Sequence, residues 1–122
     1  MSWNFNDDRP IYLQIMEQIQ LRIISGIYNV GEKLPSVRDM ASDASVNPNT
    51  MQKALTELEK TGLIFSQRTS GRFITEDSNM IKDIRNGLAK EQIEKFLYNM
   101  EKIGYTKQET IQLVENISKE MK

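Results

Sequence analysis

The chain has 122 residues, 39% apolar and 27% charged, with a formal net charge of −1, which suits one soluble domain, or one small domain plus an appendage. Cysteine and histidine are both absent, and this excludes disulfides, thiolate metal sites, cysteine nucleophiles and the commonest general base. No apolar run approaches the ~18 residues of a membrane helix, Met1–Asp8 has no signal-peptide character, and neither a Gly-rich phosphate loop nor a carboxylate cluster is present, so the expectation is a cytoplasmic protein that is not an enzyme and needs no cofactor.

Residues 1–75 carry eight basic and eight acidic side chains. Any case for a nucleic-acid partner therefore rests on where the charges sit, not on their sum. Trp3 and Phe5 alternate with polar residues in a short arm that reads as packed on the domain surface. Pro10 marks a helix entry. Tyr12, Ile15, Met16, Ile19 and Ile23 then recur three or four apart, which predicts an amphipathic helix from Ile11 to about Ser25 with Gly26 as its C-cap. A turn over Tyr28–Gly31 leads to a short extended piece at Lys33-Leu34.

Ser36 predicts an N-cap, and Asp39 stands three residues on in capping-box position. Val37, Met40, Ala41 and Ala44 form the buried stripe of a second helix. Arg38 lies off that stripe, beside free helix amides that suit a phosphate. It reads equally as a solvated surface arginine. Ser45-Val46 makes the next turn. Helix three opens with Asn47 as N-cap and Pro48 at the first helical position.

Met51, Ala54, Leu55 and Leu58 face the core at helical spacing. Asn49, Thr50, Gln52, Lys53 and Thr56 are left outside, toward the leading end. Two short helices joined by a tight turn, the second presenting amides, hydroxyls and a lysine, form a helix-turn-helix pattern. Amide side chains pair with adenine edges and Thr meets a thymine methyl. A polar helix face without a partner is the plain alternative. Gly62 ends this helix. Leu63–Gln67 and Arg72–Thr75 read as strands around the turn Arg68-Thr69-Ser70-Gly71. Arg68 and Arg72 flank the tip of this wing, which suits a phosphate or a minor groove, while a hairpin that merely caps the core fits too.

The ordered run Gly31-Glu32-Lys33-Leu34-Pro35-Ser36-Val37-Arg38-Asp39-Met40-Ala41, then Val46-Asn47-Pro48-Asn49-Thr50-Met51, then Gly62-Leu63-Ile64, resembles the DNA-binding domain of GntR-family bacterial transcription regulators. The resemblance covers residues 10–75. The lead-in Pro10–Ile15, the form Asn47–Thr50 and the short C-terminal part resemble the YtrA-type subgroup. It implies a winged-helix homodimer, most simply a repressor, on a near-palindromic double-stranded DNA operator, and the subgroup suggests a transporter operon. The DNA-binding positions it points to, together with the residues already read, are Ser36, Arg38, Asn47, Pro48, Asn49, Thr50, Gln52, Lys53, Arg68, Ser70, Gly71 and Arg72. Three positions depart from the family pattern. Ser45 stands where glycine is usual, at a cost of roughly 1 kcal/mol if φ is positive there. The arginines often found near Pro48 and Gln52 are absent. The wing reads Ser70-Gly71-Arg72 where the family often has Gly-x-Gly.

Beyond the polar joint Glu76–Asn79, Ser78 or Asn79 is expected to cap the next helix. Met80, Ile81, Ile84 and Leu88 make one stripe. Ala89, Ile93, Phe96, Met100 and Ile103 follow at heptad-like spacing. Asn86-Gly87 invites a kink. Gly104 is a C-cap site, Thr106–Glu109 a capping box, and Ile111, Val114, Ile117 and Met121 the stripe of a last helix.

The expectation is a mainly α protein with a small β wing: a winged helix-turn-helix over residues 1–76 and a two-helix dimerisation appendage over residues 77–122. Its seam would be Ala89, Ile93, Phe96, Met100, Ile103, Ile111, Val114 and Ile117. Two helices enclose little volume, so a small-molecule effector is not expected from the appendage alone. Alternatives are a metabolite pocket at the dimer interface, a winged-helix protein-interaction module, and a monomer whose last helices fold back on the wing domain.

Overall fold

The computed structural model describes residues 2–121. The elements are α1 (Ile11–Ile24), α2 (Val37–Ala44), α3 (Pro48–Thr61), β1 (Ile64–Gln67), β2 (Gly71–Ile74), α4 (Ser78–Lys102) and α5 (Lys107–Glu120). They group into two compact units, Met1–Arg85 and Asn86–Lys122, with the boundary inside α4.

In the first unit α1, α2 and β1 pack on α3. Ile15, Ile19 and Ile23 of α1 meet a core built from Met51, Ala54, Leu55 and Leu58 of α3, and all are essentially inaccessible to water. Met40, Ala41 and Ala44 close one side, and Leu63, Ile64 and Ile74 close the other. β1 and β2 are antiparallel, with Ile64 opposite Ile74, Phe65 opposite Phe73 and Ser66 opposite Arg72. Side chains alternate across a strand, so Ile64, Ile74, Ser66 and Arg72 share one face. Phe65 and Phe73 stack on the other, with ring centroids 5.8 Å apart. An isolated bridge from Lys33 to Phe73 adds the extended piece before α2 to this sheet.

The predicted stripe of α1 is shifted in detail. Tyr12 and Met16 are only half-buried, whereas Gln14 and Arg22 are buried. The arm explains this, because it lies on α1 and is held there by side-chain amides. Gln14 accepts from Asn6 N and donates to the Asn6 and Arg9 carbonyls, each at 2.8 Å. Gln18 donates to the Asn4 carbonyl at 2.7 Å. Trp3 covers the Arg22 guanidinium at 3.8 Å and donates its indole N–H to Asp43 of α2 at 2.9 Å.

The helix termini follow their caps. Asn47 Oδ1 accepts from Asn49 N at 2.7 Å, and Ser36 Oγ accepts from Asp39 N at 3.1 Å. Only that half of the expected box forms at α2; an aspartate is one methylene shorter than the glutamate that closes such boxes. At α4 the cap is Asp77, whose Oδ1 accepts from Met80 N at 3.0 Å, rather than Ser78 or Asn79. The helix runs unbroken through Asn86-Gly87, so the propensity cost of one glycine, ~1 kcal/mol, does not interrupt it.

The second unit contains the rest of α4, a turn and α5. Gly104 takes φ +99° and lets Tyr105 N reach the Met100 carbonyl at 3.1 Å. The Thr106–Glu109 box is complete in both directions. Thr110, buried, donates its hydroxyl to the Thr106 carbonyl at 2.9 Å.

Ser45 is the one non-glycine residue with positive φ among the described residues, at φ 57°, ψ 45°. It ends α2: Ser45 N bonds Ser42 O and Val46 N bonds Ala41 O, the paired closure of a left-handed helix terminus. This turn sets the angle between α2 and α3. Ser45→Gly should raise stability by about 1 kcal/mol, because glycine adopts this conformation without the Cβ penalty. Thermal denaturation should show a rise of several degrees, and an unchanged or lower midpoint would contradict strain at this residue.

Candidate nucleic-acid interface

Each expected contact residue of α3 is set by the burial of the opposite side. With Met51, Ala54, Leu55 and Leu58 turned inward, Asn49, Gln52, Lys53 and Thr56 are exposed and Thr50 is half-buried. Asn47 and Pro48 are exposed at the leading end. The Asn47 side-chain oxygen is committed to the cap, which leaves its amide N–H2 for a ligand. Among the described residues Gln52 makes only a long 3.5 Å contact to Thr56 Oγ1, so its amide edge is free in the sense that base pairing requires. Lys53 Nζ lies 4.1 Å from the centroid of the Tyr12 ring.

On α2, Ser36 and Arg38 are exposed beside the first-turn amides. Arg38 makes no ion pair among the described residues. At the wing, Arg68 and Ser70 are exposed and Gly71 takes φ +103°. A groove of about 330 Å³ runs between the start of α2 and the wing, lined by Pro35, Val37, Ser66, Gln67, Arg68, Gly71 and Arg72.

Arg72 departs from its expected place as a free cation flanking the tip. Its Nε donates to Glu59 Oε1 at 2.6 Å, and the pair is only 17% and 28% exposed at the two side chains. Ser66 Oγ donates to the same oxygen. Glu59 therefore ties the wing to α3. The carboxyl is held below the ordinary glutamate range, first by the Ser66 hydrogen bond and further by the Arg72 bond and charge, against the partial burial that pushes it up.

Three participants escaped the sequence reading. Glu59 is the wing anchor. Tyr12 is the partner of Lys53. Lys33, exposed, passes close to the wing: a Cβ at Gly71 would lie 3.3 Å from its Cε. Glu59 and Lys33 carry no periodic signal and the stripe position of Tyr12 points only to burial, since all three act through contacts between residues distant in sequence.

In the second unit Ala89, Ile93, Phe96, Ile103, Ile111, Val114 and Ile117 are exposed and Met100 is half-buried. Ile103 is 68% exposed and Ile93 57%. Leu97 and Leu113, not singled out from the sequence, are half-buried instead.

A half-polar helix led by a tight turn, with a cationic wing tethered to it, defines a winged-helix DNA-binding protein. The sequence profile described as "Bacterial regulatory proteins, gntR family" matches residues 11–74. The chain is 38% identical over 112 residues to the uncharacterized HTH-type transcriptional regulator YhcF of Bacillus subtilis (strain 168), spanning 92% of this chain and 93% of that one. It is 33% identical over 114 residues to the HTH-type transcriptional repressor YtrA of the same organism, spanning 93% and 88%. A GntR family transcriptional regulator from Listeria monocytogenes has the same fold, with a TM-score of 0.84 at 41% identity over 92% of this chain and 98% of that chain. The structure of AraR(DBD) in complex with operator ORR3 matches with a TM-score of 0.54 at 25% identity over 62% of this chain and 90% of that chain. The chain belongs to the GntR family and is a DNA-binding transcription regulator, not an enzyme. Among the described residues no helix is long and apolar enough to cross a membrane.

The Glu59 tie is pH-dependent with a definite sign. A carboxyl whose folded pKa is lowered stabilises the fold above its ordinary range and loses that contribution as pH falls through the lowered value. Glu59→Gln should cost about 1 kcal/mol near neutral pH and should flatten the decline of the melting temperature in acid relative to the parent chain. Parallel melting curves from neutral pH into the acid range check this; identical acid slopes would show that Glu59 carries no such linkage.

Proposed function

We propose that this protein is a cytoplasmic homodimeric repressor that binds a near-palindromic operator. In each copy α3 enters a major groove, α2 rests on the backbone and the wing lies beside an adjacent minor groove. The observation that carries the reading is the leading end of α3. Asn49, Gln52 and Lys53 are exposed there, while Arg38 and Arg68 make no ion pair among the described residues. Ser36, Asn47, Pro48, Thr50, Ser70 and Gly71 supply caps, hydroxyls and close backbone approach. Arg72 serves through Glu59, by setting the wing. The repressor sense follows the relative named a repressor. An operator is what the matched AraR(DBD) structure holds. Control of a transporter operon rests on the subgroup resemblance alone.

Functionally the chain divides into a DNA-binding part over residues 1–76 and a pairing part over residues 77–122. The pairing residues are Ala89, Ile93, Phe96, Ile103, Ile111, Val114 and Ile117, with Met100 beneath them. Exposed apolar side chains in this number are unusual on a chain that stays alone. Two half-sites read by two copies would also multiply affinity.

Binding-site selection from random DNA followed by footprinting should return a two-fold symmetric site with half-sites about one helical turn apart; an asymmetric footprint overturns the reading. Two substitutions separate the roles. Arg38→Ala should weaken binding to all sequences and lower the salt slope by about 1. Gln52→Ala should relax preference at one or two base positions, costing about 1–3 kcal/mol against the preferred site, and an unchanged preference would rule out base reading by Gln52. For the pairing part, sedimentation of the full chain at micromolar concentration should give a dimer, and Phe96→Asp should shift it to monomer. A monomeric parent chain removes the pairing proposal.

A further inference from the structure

Among the described residues, three cations of the unit that carries α3 are held by carboxylates: Arg9 by Glu17, Lys60 by Glu57 and Arg72 by Glu59. Lys53 is held differently. Its Nζ stands 4.1 Å from the centroid of the Tyr12 ring, and no carboxylate lies within ion-pair distance of it among the described residues. The difference matters chemically. A carboxylate orients an ammonium but also neutralises it and competes with an incoming phosphate. An aromatic face attracts the ammonium through its quadrupole and carries no net charge. The ring thus orients the lysine and leaves its charge available.

The surroundings fit this use. Tyr12 lies in the first turn of α1, half-buried, on the helix that packs along α3. Tyr12 is partly covered by the domain, and Lys53 above its ring is exposed. A lysine stem confined before DNA arrives has less rotamer freedom to lose on contact.

We propose that Tyr12 is a positioning residue for DNA binding: its ring holds the Lys53 ammonium at the leading half of α3, where it meets a DNA phosphate. The inference rests on α3 being the DNA-reading helix. The test uses the full chain and a fragment recovered by binding-site selection, with dissociation constants from fluorescence anisotropy. Tyr12→Leu should weaken binding about two- to fivefold, and Tyr12→Phe, which keeps the ring, should stay within about twofold of the parent. On a Lys53→Met background, Tyr12→Leu should cause no further loss. A merely structural role for Tyr12 would give its full loss on both backgrounds, which overturns the proposal. So would Tyr12→Phe losing as much as Tyr12→Leu, since that places the effect in the hydroxyl. If Lys53→Met is silent while Gln52→Ala still alters base preference, this inference fails and the α3 reading stands. If both are silent, the α3 reading fails with it.

Discussion

A single carboxylate oxygen of Glu59 fixes the wing against α3. It accepts from Ser66 on β1 and from Arg72 on β2, and these two residues face each other across the hairpin. Glu59 belongs to α3, the helix whose leading end presents Asn49, Gln52 and Lys53. The distance from the leading end of α3 to the wing tip is therefore set within one rigid helix and one clamped hairpin. A two-stranded hairpin alone is marginal in water. Here Ile64 and Ile74 anchor its base in the core, and Glu59 holds the Ser66–Arg72 pair two rungs outward on the same face. The tip Arg68–Ser70 lies beyond this clamp and is exposed.

This clamp also changes the charge account of the DNA-facing side. Arg72 looks like a phosphate cation in the sequence, and in the fold its Nε is paired with Glu59. Arg38, Lys53 and Arg68 remain, and Lys33 joins them beside Gly71. Few cations are thus presented, and they are spread over α2, α3, the wing and the extended piece before α2. A chain of net charge −1 can still offer a one-sided positive face, because its acidic residues hold other cations elsewhere: Glu17 takes Arg9 and Glu57 takes Lys60.

The parts of the fold that were legible in the sequence are those decided within a few residues. Ser36, Asn47-Pro48, Gly62, Gly104 and the Thr106–Glu109 box mark termini because a cap acts over one turn. The core stripe of α3 follows from its period, and its exposed face follows by subtraction. Ser45 was readable as a strained position only because glycine is usual there in the family. What stayed hidden depends on register or on long-range contact. Arg72 faces Glu59 because strand alternation puts it on the same side as buried Ile74, and a one-residue shift would have freed it. The indole of Trp3 reaches Asp43 across forty residues of sequence. Asp77, Ser78 and Asn79 are all competent N-caps, and the helix begins at Ser78 with Asp77 as its cap. Tyr12 looked like part of a buried stripe; it is half-buried, and its ring carries the Lys53 ammonium instead of joining the core.

On the proposed reading, with Pro48 and Gln52 where the family pattern leads to an expectation of arginine, each copy would read bases with neutral amides and touch phosphates with few cations. If Lys33, Arg38, Lys53 and Arg68 each displace one counterion, a single copy gains a salt slope of only about 4. That is weak binding at physiological salt. A second copy doubles the phosphate contacts and the bases read, while the freedom lost on association with DNA is met largely once. The proposed pairing through the exposed apolar side chains of α4 and α5 is then a requirement of the reading helix itself. The fewer charges α3 carries, the more of the affinity must come from linking two copies, and the more the preference for particular bases is left to Asn49, Thr50 and Gln52.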